Sequence, residues 1–493
     1  MHLKEVEAKG YYIDLWESLK SLLSNPAVRE EIIGKSHVST DGSMRDICDG
    51  DFVKKHPVFR AHPDGLQFLL YHDDIEVCNP LGTSAGVHKF GVFYYIYTLG
   101  NIRPVFRSSL QAIQLLGVAK SSDMNQSARD ILLRNFVQCM KLLSTDEGYR
   151  LELDSGVVVL HGAVVCLCGD IPASNFLGGF KKGVGFALRK CRQCLCSKED
   201  LKHNFHVGAY TLRDSHSHNH YCQLVESDVN GCLGYSTTYG VNNASILLDI
   251  PFFDVTKCLP YDIMHTIFEG VAPRLLKELL VTFINIKKYF TLSELNQSLA
   301  SHHYGYSELD TKPNTITGST MEYHIKQKAS QMKALIRLFP FIMGGFVPEG
   351  DEHWGFLLTL WDICTMVTAF VVTEADASDL AWKVELLLET YVQLYPNSPY
   401  VPKMHYLLHL PDELLRFGPP RNTWCMRFES KNKELKGFTS NCFKNVPYSV
   451  SVRHQQRYCH LLAVRPGQEM SNFFYKGDEV SSGKFLLLFV NTE

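Results

Sequence analysis

The chain has 493 residues, 45% hydrophobic, 12% aromatic and 20% charged, with a formal net charge of −3. That is a folded globular protein with an ample core, long enough for two or three domains or one domain with a large insertion. The balance excludes a protein that is basic throughout, although local basic stripes remain available for nucleic acid. No stretch has the length and purity of a membrane span. Phe356 to Val372 comes nearest, but it carries Asp362 and reads as a core helix. The opening MHLKEVEAKGYYIDLW lacks the apolar region of a signal peptide. The fifteen cysteines, an odd number in mostly apolar contexts, read as reduced core residues of an intracellular protein.

Residues 1–62 read as an irregular, partly helical lead-in that ends near His56-Pro57 and His62-Pro63. Apolar density rises through 63–196. LQFLLYHDD is a strand running into Asp73 and Asp74, and HKFGVFYYIYTLG and SLQAIQLLGVAKS are two more strands. Ser127 to Leu143 carries the helical period. Gly156 to Cys168, GVVVLHGAVVCLC, is β-branched and bounded by turn residues, so it reads as one buried strand ending just before Asp170. Three strands, a helix and a further strand open an α/β fold. Residues 197–400 read as a long, mainly helical insertion into that core. Its first part, 197–250, is polar and reads as loop. Leu259 to Leu394 is helical, with Asp376 or Ser378 as the cap of the last long helix. After PNSPYVP, residues 401–450 return to the core with His405, His409 and Glu429, and 451–493 read as a tail. No internal repeat, heptad run or low-complexity tract interrupts this order.

Two groupings carry chemistry. A pair of Mg²⁺ ions needs two or three carboxylates from different elements converging on a space about 4 Å across. Asp73 or Asp74 at one strand end and Asp170 at another would supply them from adjacent strands. Taken singly, each also reads as an ordinary turn. The second grouping is Cys191-x-x-Cys194, with Cys196 as a spare. It needs two more ligands to close a tetrahedral zinc site. MHYLLHL sets His405 and His409 at i and i+4 on one helix face, which would tie the end of the insertion to the sheet. The alternative is a pair of buried thiols and an ordinary helix. No Ser-His-Asp or Cys-His-Asp arrangement and no Walker loop is present.

The ordered set YHDDIEVCNPLG, GDIPASNFLGGFKKGVGFALRKCRQC, LPYDIMHTIFEGV, KMHYLLHL and WCMRFESKNKELKGF resembles the transposases of CACTA (En/Spm-like) DNA transposons. It is similar, more distantly, to the catalytic subunit of the vertebrate V(D)J recombinase. The likeness spans Leu66 to Lys436, and the order of these short motifs carries it. It implies a ribonuclease H-like core with an Asp-Asp-Glu triad that cleaves DNA and transfers strands with two Mg²⁺ or Mn²⁺ ions. The first aspartate falls on Asp73 or Asp74, with Asp73 favoured by the pattern of plant relatives. The second falls on Asp170, and the glutamate on Glu429 in Arg-Phe-Glu-Ser. In the recombinase-like relatives the cysteine and histidine pairs hold one structural Zn²⁺, here Cys191, Cys194, His405 and His409. Double-stranded DNA (transposon ends and target), a homodimer or higher oligomer, and a nuclear location follow from the same likeness.

Lys181, Lys182, Arg189, Lys190 and Arg192, and beyond Glu429 Lys431, Lys433 and Lys436, are candidates for DNA phosphates or else solvated faces. Asp262, His265 and Glu269 form one helical stripe, read as a metal or DNA contact or as a structural start to the insertion. Glu269 is the runner-up for the third carboxylate. His216, His218 and His220 read as a solvated loop. The first 62 residues hold one cysteine, Cys48, and no zinc-finger spacing for reading DNA ends. The alternative is therefore a domesticated or truncated, non-catalytic relative that binds DNA or protein. An unrelated nuclease would degrade DNA without joining it.

Overall fold

The computed structural model describes residues 9–34, 37–76, 91–318, 325–438 and 445–462. The Asn79-Pro80-Leu81-Gly82 turn of the first motif and residues 463–493 of the expected tail lie outside the described residues. The strands are β1 (Gly10–Tyr12), β2 (Leu66–Glu76), β3 (Gly91–Leu99), β4 (Gln114–Lys120), β5 (Tyr149–Leu153), β6 (Gly156–Leu160) and β7 (Gly162–Cys168). Five of them form a mixed sheet in the order β1-β4-β3-β2-β7. β2, β3 and β4 make an antiparallel meander, and β7 joins the other side of β2 in parallel.

The run read as one strand from Gly156 to Cys168 is two. β6 pairs with β5 in a separate hairpin, and the chain then turns at His161 to enter the main sheet as β7. Gly162 permits this entry, because a Cβ there would lie 2.6 Å from the Leu66 carbonyl oxygen. The crossover from β4 to β7 runs through the helix at Gln126–Leu143, as parallel pairing requires.

Residues on alternate faces of β2 build two cores. Phe68 and Leu70, with Leu167 of β7, pack under α1 (Leu15–Ser24) and α2 (Gln126–Leu143). Leu69 and Tyr71, with Cys166 and Cys168, face the other way. There they join one continuous apolar cluster with Leu275, Leu335 and Leu387 of the helical region. The insertion thus buries its apolar faces against the sheet. α3 (Ile171–Leu177) begins at Asp170, whose carboxylate accepts from the Ala173 amide and serves as N-cap.

Residues 197–250 are not simply loop. α4 (Ser215–Ser227) forms because Asp214 and Ser217 make a capping box, a signal hidden in a polar run. A π-helical stretch, Met264–Val271, leads into α5 (Ala272–Val281), and α6 (Ala329–Met343), α7 (Glu352–Val367) and α8 (Glu374–Leu394) follow. The cap of α8 is Thr373; Asp376 is its capping-box partner and Ser378 lies inside the helix. α9 (Pro402–Tyr406), α10 (Leu410–Phe417), α11 (Met426–Gly437) and α12 (Val446–Leu462) complete the described chain. α12 makes the first part of the expected tail a helix, its Tyr448 ring 5.5 Å from Tyr11 of β1. No described helix is long and apolar enough to cross a membrane.

Candidate carboxylate centre and cysteine–histidine metal site

The register of β2 and β7 sets Tyr71 opposite Cys168. Two residues on along each chain stand Asp73 and Asp170, on the face that meets the helical region. Asp74 points the other way: it is exposed and accepts from the Ser121 hydroxyl at 2.9 Å. Asp73 accepts from the Tyr71 hydroxyl at 3.0 Å and from the Asn432 side-chain amide at 2.8 Å. Burial pushes its carboxyl above the usual carboxylate range, and the Asp170 charge adds to this against those hydrogen bonds.

α11 lies across this edge of the sheet, its Phe428 ring stacked on Tyr71 at 4.7 Å. Cys425, Glu429 and Asn432 occupy i, i+4 and i+7 on one stripe. Asn432 reaches Asp73, so Glu429 is held one turn away from it. Glu429 Oε1 lies 3.0 Å from His265 Nε2, and His265 Nδ1 lies 2.6 Å from Asp262 Oδ2. The other Asp262 oxygen accepts from the Cys425 amide at 2.8 Å. Burial alone would depress the His265 imidazole; the bonds to Asp262 and Glu429 outweigh it and raise its pKa to about 10. Glu269 stands at the rim, exposed. Burial raises its pKa, with the Glu429 charge adding and His265 and Lys403 opposing. Lys403 donates to the His265 carbonyl at 2.7 Å. Burial holds its ammonium below the ordinary range although Glu269, Asp170 and Asp262 surround it.

The structure therefore brings Asp73, Asp170, Glu429, Asp262, His265 and Glu269 into one neighbourhood. Glu429, not Glu269, shares the stripe that touches Asp73. Among the described residues, the ligand atoms of Asp262, His265 and Cys425 lie within 4.8 Å of one another, whereas Asp73, Asp170 and Glu429 do not close to that distance as a set. Asn432, Lys403 and Cys425 went unremarked in the sequence, although Asn432 follows Glu429 at i+3.

Cys191, Cys194, His405 and His409 are all buried, and their ligand atoms lie within 4.8 Å of one another. Cys191 Sγ is 3.2 Å from His409 Nε2, and Cys194 Sγ is 3.2 Å from His405 Nε2. Bonds of about 2.3 Å to sulfur and about 2.0–2.1 Å to nitrogen around one centre would set neighbouring donors about 3.5 Å apart. The four residues can hold a metal ion. Burial would raise the Cys191 thiol, but Cys194, His409 and His405 outweigh it and hold it well below the ordinary value. The Gln193 amide and the Tyr261 hydroxyl lie 3.3 and 3.2 Å from the Cys191 sulfur, contacts that orient a thiolate ligand. A further, largely buried group, His37, Asp46 and Cys48, is less available, since Arg107 already clamps Asp46.

The basic residues divide. Lys182, Lys433 and Lys436 are exposed, and Lys181, Arg189 and Lys190 are half-buried. Two candidates for DNA phosphates are corrected by burial. Arg192 is 2% exposed, donates to the carbonyls of Leu259 and Pro260 and lies 3.7 Å from the Tyr261 ring. Lys431 is buried on the Leu110 carbonyl and Glu434. Both serve the interior. The three histidines of the expected loop sit on α4, with His218 buried against Cys222 and Phe180.

No protein-family model matches the chain, and no curated protein matches it.

Proposed function

We propose that the chain is the catalytic core of a DNA transposase, built on a ribonuclease H-like fold, that cuts and rejoins phosphodiester bonds. The observation that carries this reading is Asp73 on β2 and Asp170 just past the end of the neighbouring parallel strand β7, close enough for their charges to act on each other, under the Glu429 stripe of α11. Asp73, Asp170 and Glu429 would hold Mg²⁺ or Mn²⁺. When bound, such a pair supplies an activated hydroxyl or water and charge compensation at the phosphate. Asn432 and Tyr71 fix the Asp73 carboxylate, and His265 with Asp262 fixes Glu429. Lys182 and its neighbours beside α3 would take backbone phosphates of double-stranded DNA. Cys191, Cys194, His405 and His409 would hold Zn²⁺, the ion suited to a closed two-sulfur, two-nitrogen set. A homodimer or higher oligomer acting in the nucleus belongs to the same reading.

The test is a strand-transfer assay on a short duplex with Mg²⁺ or Mn²⁺, wild type beside Asp170→Asn. The variant keeps the cap of α3 but lowers the ligand charge, so cleavage and joining should vanish while the fold persists. Nicking that survives the substitution removes the assigned centre. DNA binding without any cleavage by wild type would favour a non-catalytic, transposon-derived binding protein, and degradation without joining would favour a nuclease.

A further inference from the structure

Among the described residues, two cations of the helical region stand without an acidic partner. Lys333 lies on α6, and Arg421 lies in the short turn Pro420–Asn422 that leads towards α11. The Lys333 ammonium is 5.3 Å and the Arg421 guanidinium 5.6 Å from the centre of the same ring, that of Trp424. Arg421 also lies 3.4 Å from the Phe370 ring and donates to the Thr368 carbonyl at 2.9 Å. Among the described residues, no carboxylate comes within 4.0 Å of either charge. Burial holds Lys333 below the ordinary lysine range and the Arg421 charge lowers it further; burial lowers Arg421 to about 10.

Like charges held together and partly removed from water are unfavourable unless an anion joins them. A guanidinium laid on aromatic rings can serve packing alone. A second cation on the same ring, with no acid to answer either, is better explained by a ligand that brings the negative charge. Arginine forks and lysine point charges are the usual partners of phosphate oxygens. Phe370 is 68% exposed beside them and adds an apolar platform of the kind on which nucleic acid lies.

The place fits as well. Trp424 adjoins Cys425, whose amide is fixed by Asp262 and which caps α11, and Glu429 lies in the first turn of that helix. We propose that Lys333 and Arg421, presented on Trp424 and Phe370, form an oxyanion site for a backbone phosphodiester of DNA lying across the carboxylate centre. This rests on the transposase reading and adds a contact to the DNA backbone beyond that of Lys182. No sequence window shows it, because Lys333, Phe370 and Arg421 come from separate segments.

The test uses the full chain as Asp170→Asn, so that binding is measured without turnover. A short duplex is titrated at several salt concentrations against this parent and against Lys333→Gln and Arg421→Gln on the same background. Each substitution should reduce the slope of log affinity against log salt by about one phosphate contact. Arg421 packs on two rings, so the Lys333 variant carries the test if the Arg421 variant fails to fold. Inorganic phosphate is the second probe. It should shift Trp424 emission in the parent but not in Lys333→Gln, with Trp424→Phe identifying the signal. Unchanged salt slopes overturn the proposal. A phosphate response without any change in DNA slope also overturns it, assigning the pair to a free phosphate. A parent that binds no DNA at all would fail the transposase reading itself, a result distinct from either.

Discussion

Replacing His265 by alanine removes the cation that holds two carboxylates in place. Its imidazole lies 2.6 Å from Asp262 and 3.0 Å from Glu429, and these bonds raise its pKa to about 10 against burial. Relative to a free histidine near 6.5, a rise of about 3.5 units is worth roughly 4–5 kcal/mol. The Glu429 side chain is 36% exposed, so solvent screens that half of the interaction and the expected loss is roughly 3 kcal/mol. The folded-state pKa lies above the unfolded one. The contribution is therefore complete below about pH 6.5 and fades as pH rises through about 10. Urea unfolding of wild type and His265→Ala, without added divalent ions, should show a gap of roughly 3 kcal/mol at about pH 6 that narrows by about pH 10.5. An equal gap at both pH values would refute the ion-pair reasoning and leave only lost packing.

Three other substitutions follow from the contacts. Asp170→Ala should lose about 1 kcal/mol more than Asp170→Asn, because only alanine removes the cap on the Ala173 amide; thermal melts of the pair decide it, and equal melts would discount the cap. If the four residues hold an ion, Cys191→Ser should bring the bound metal below about half an equivalent and lower the melting temperature, whereas metal analysis equal to wild type would remove the site. Arg192→Ala should cost roughly 3 kcal/mol in urea unfolding, since it orphans the Leu259 and Pro260 carbonyls, yet leave the salt slope of DNA binding unchanged. A fall in that slope would return Arg192 to the candidates for DNA phosphates.

The sequence made the strands of the meander legible because LQFLLYHDD and its successors are apolar, aromatic and β-branched over the right length. It also made the cysteine–histidine set legible, since ligand spacing is a local property and the i, i+4 histidines needed only a helix. The break at His161 was not legible. A single apolar run does not say whether its halves pair with different neighbours, and only the approach of Leu66 to Gly162 shows it. Arg192 and Lys431 misled for a related reason. Charge in a sequence reads as surface, but Arg192 caps carbonyls of a segment 67 residues away in the chain. The role of Asn432 depended on α11 crossing β2, a tertiary fact with no local signature. The choice between Asp73 and Asp74 depended on which face of β2 turns inward, and Tyr71 stacking on Phe428 decides that.

The two centres are joined first by the short segment at Tyr261 and Asp262. The Tyr261 hydroxyl touches the Cys191 sulfur and the Arg192 amide at 3.2 Å each, and its own amide is held by Glu413 at 2.8 Å. The next residue, Asp262, fixes both His265 and the Cys425 amide at the start of α11. A second connection runs through Lys403, two residues before His405, to the His265 carbonyl. The position of Glu429 is thus set from the cysteine–histidine site along two routes, one through Tyr261 and Asp262 and one through Lys403. Asp73 and Asp170, by contrast, are set by strand register and a helix cap within the sheet. Disturbing the Cys191 or His405 ligands would therefore move the glutamate arm first while leaving the two aspartates in place, so a structural ion at that site would act on the carboxylate centre through α11.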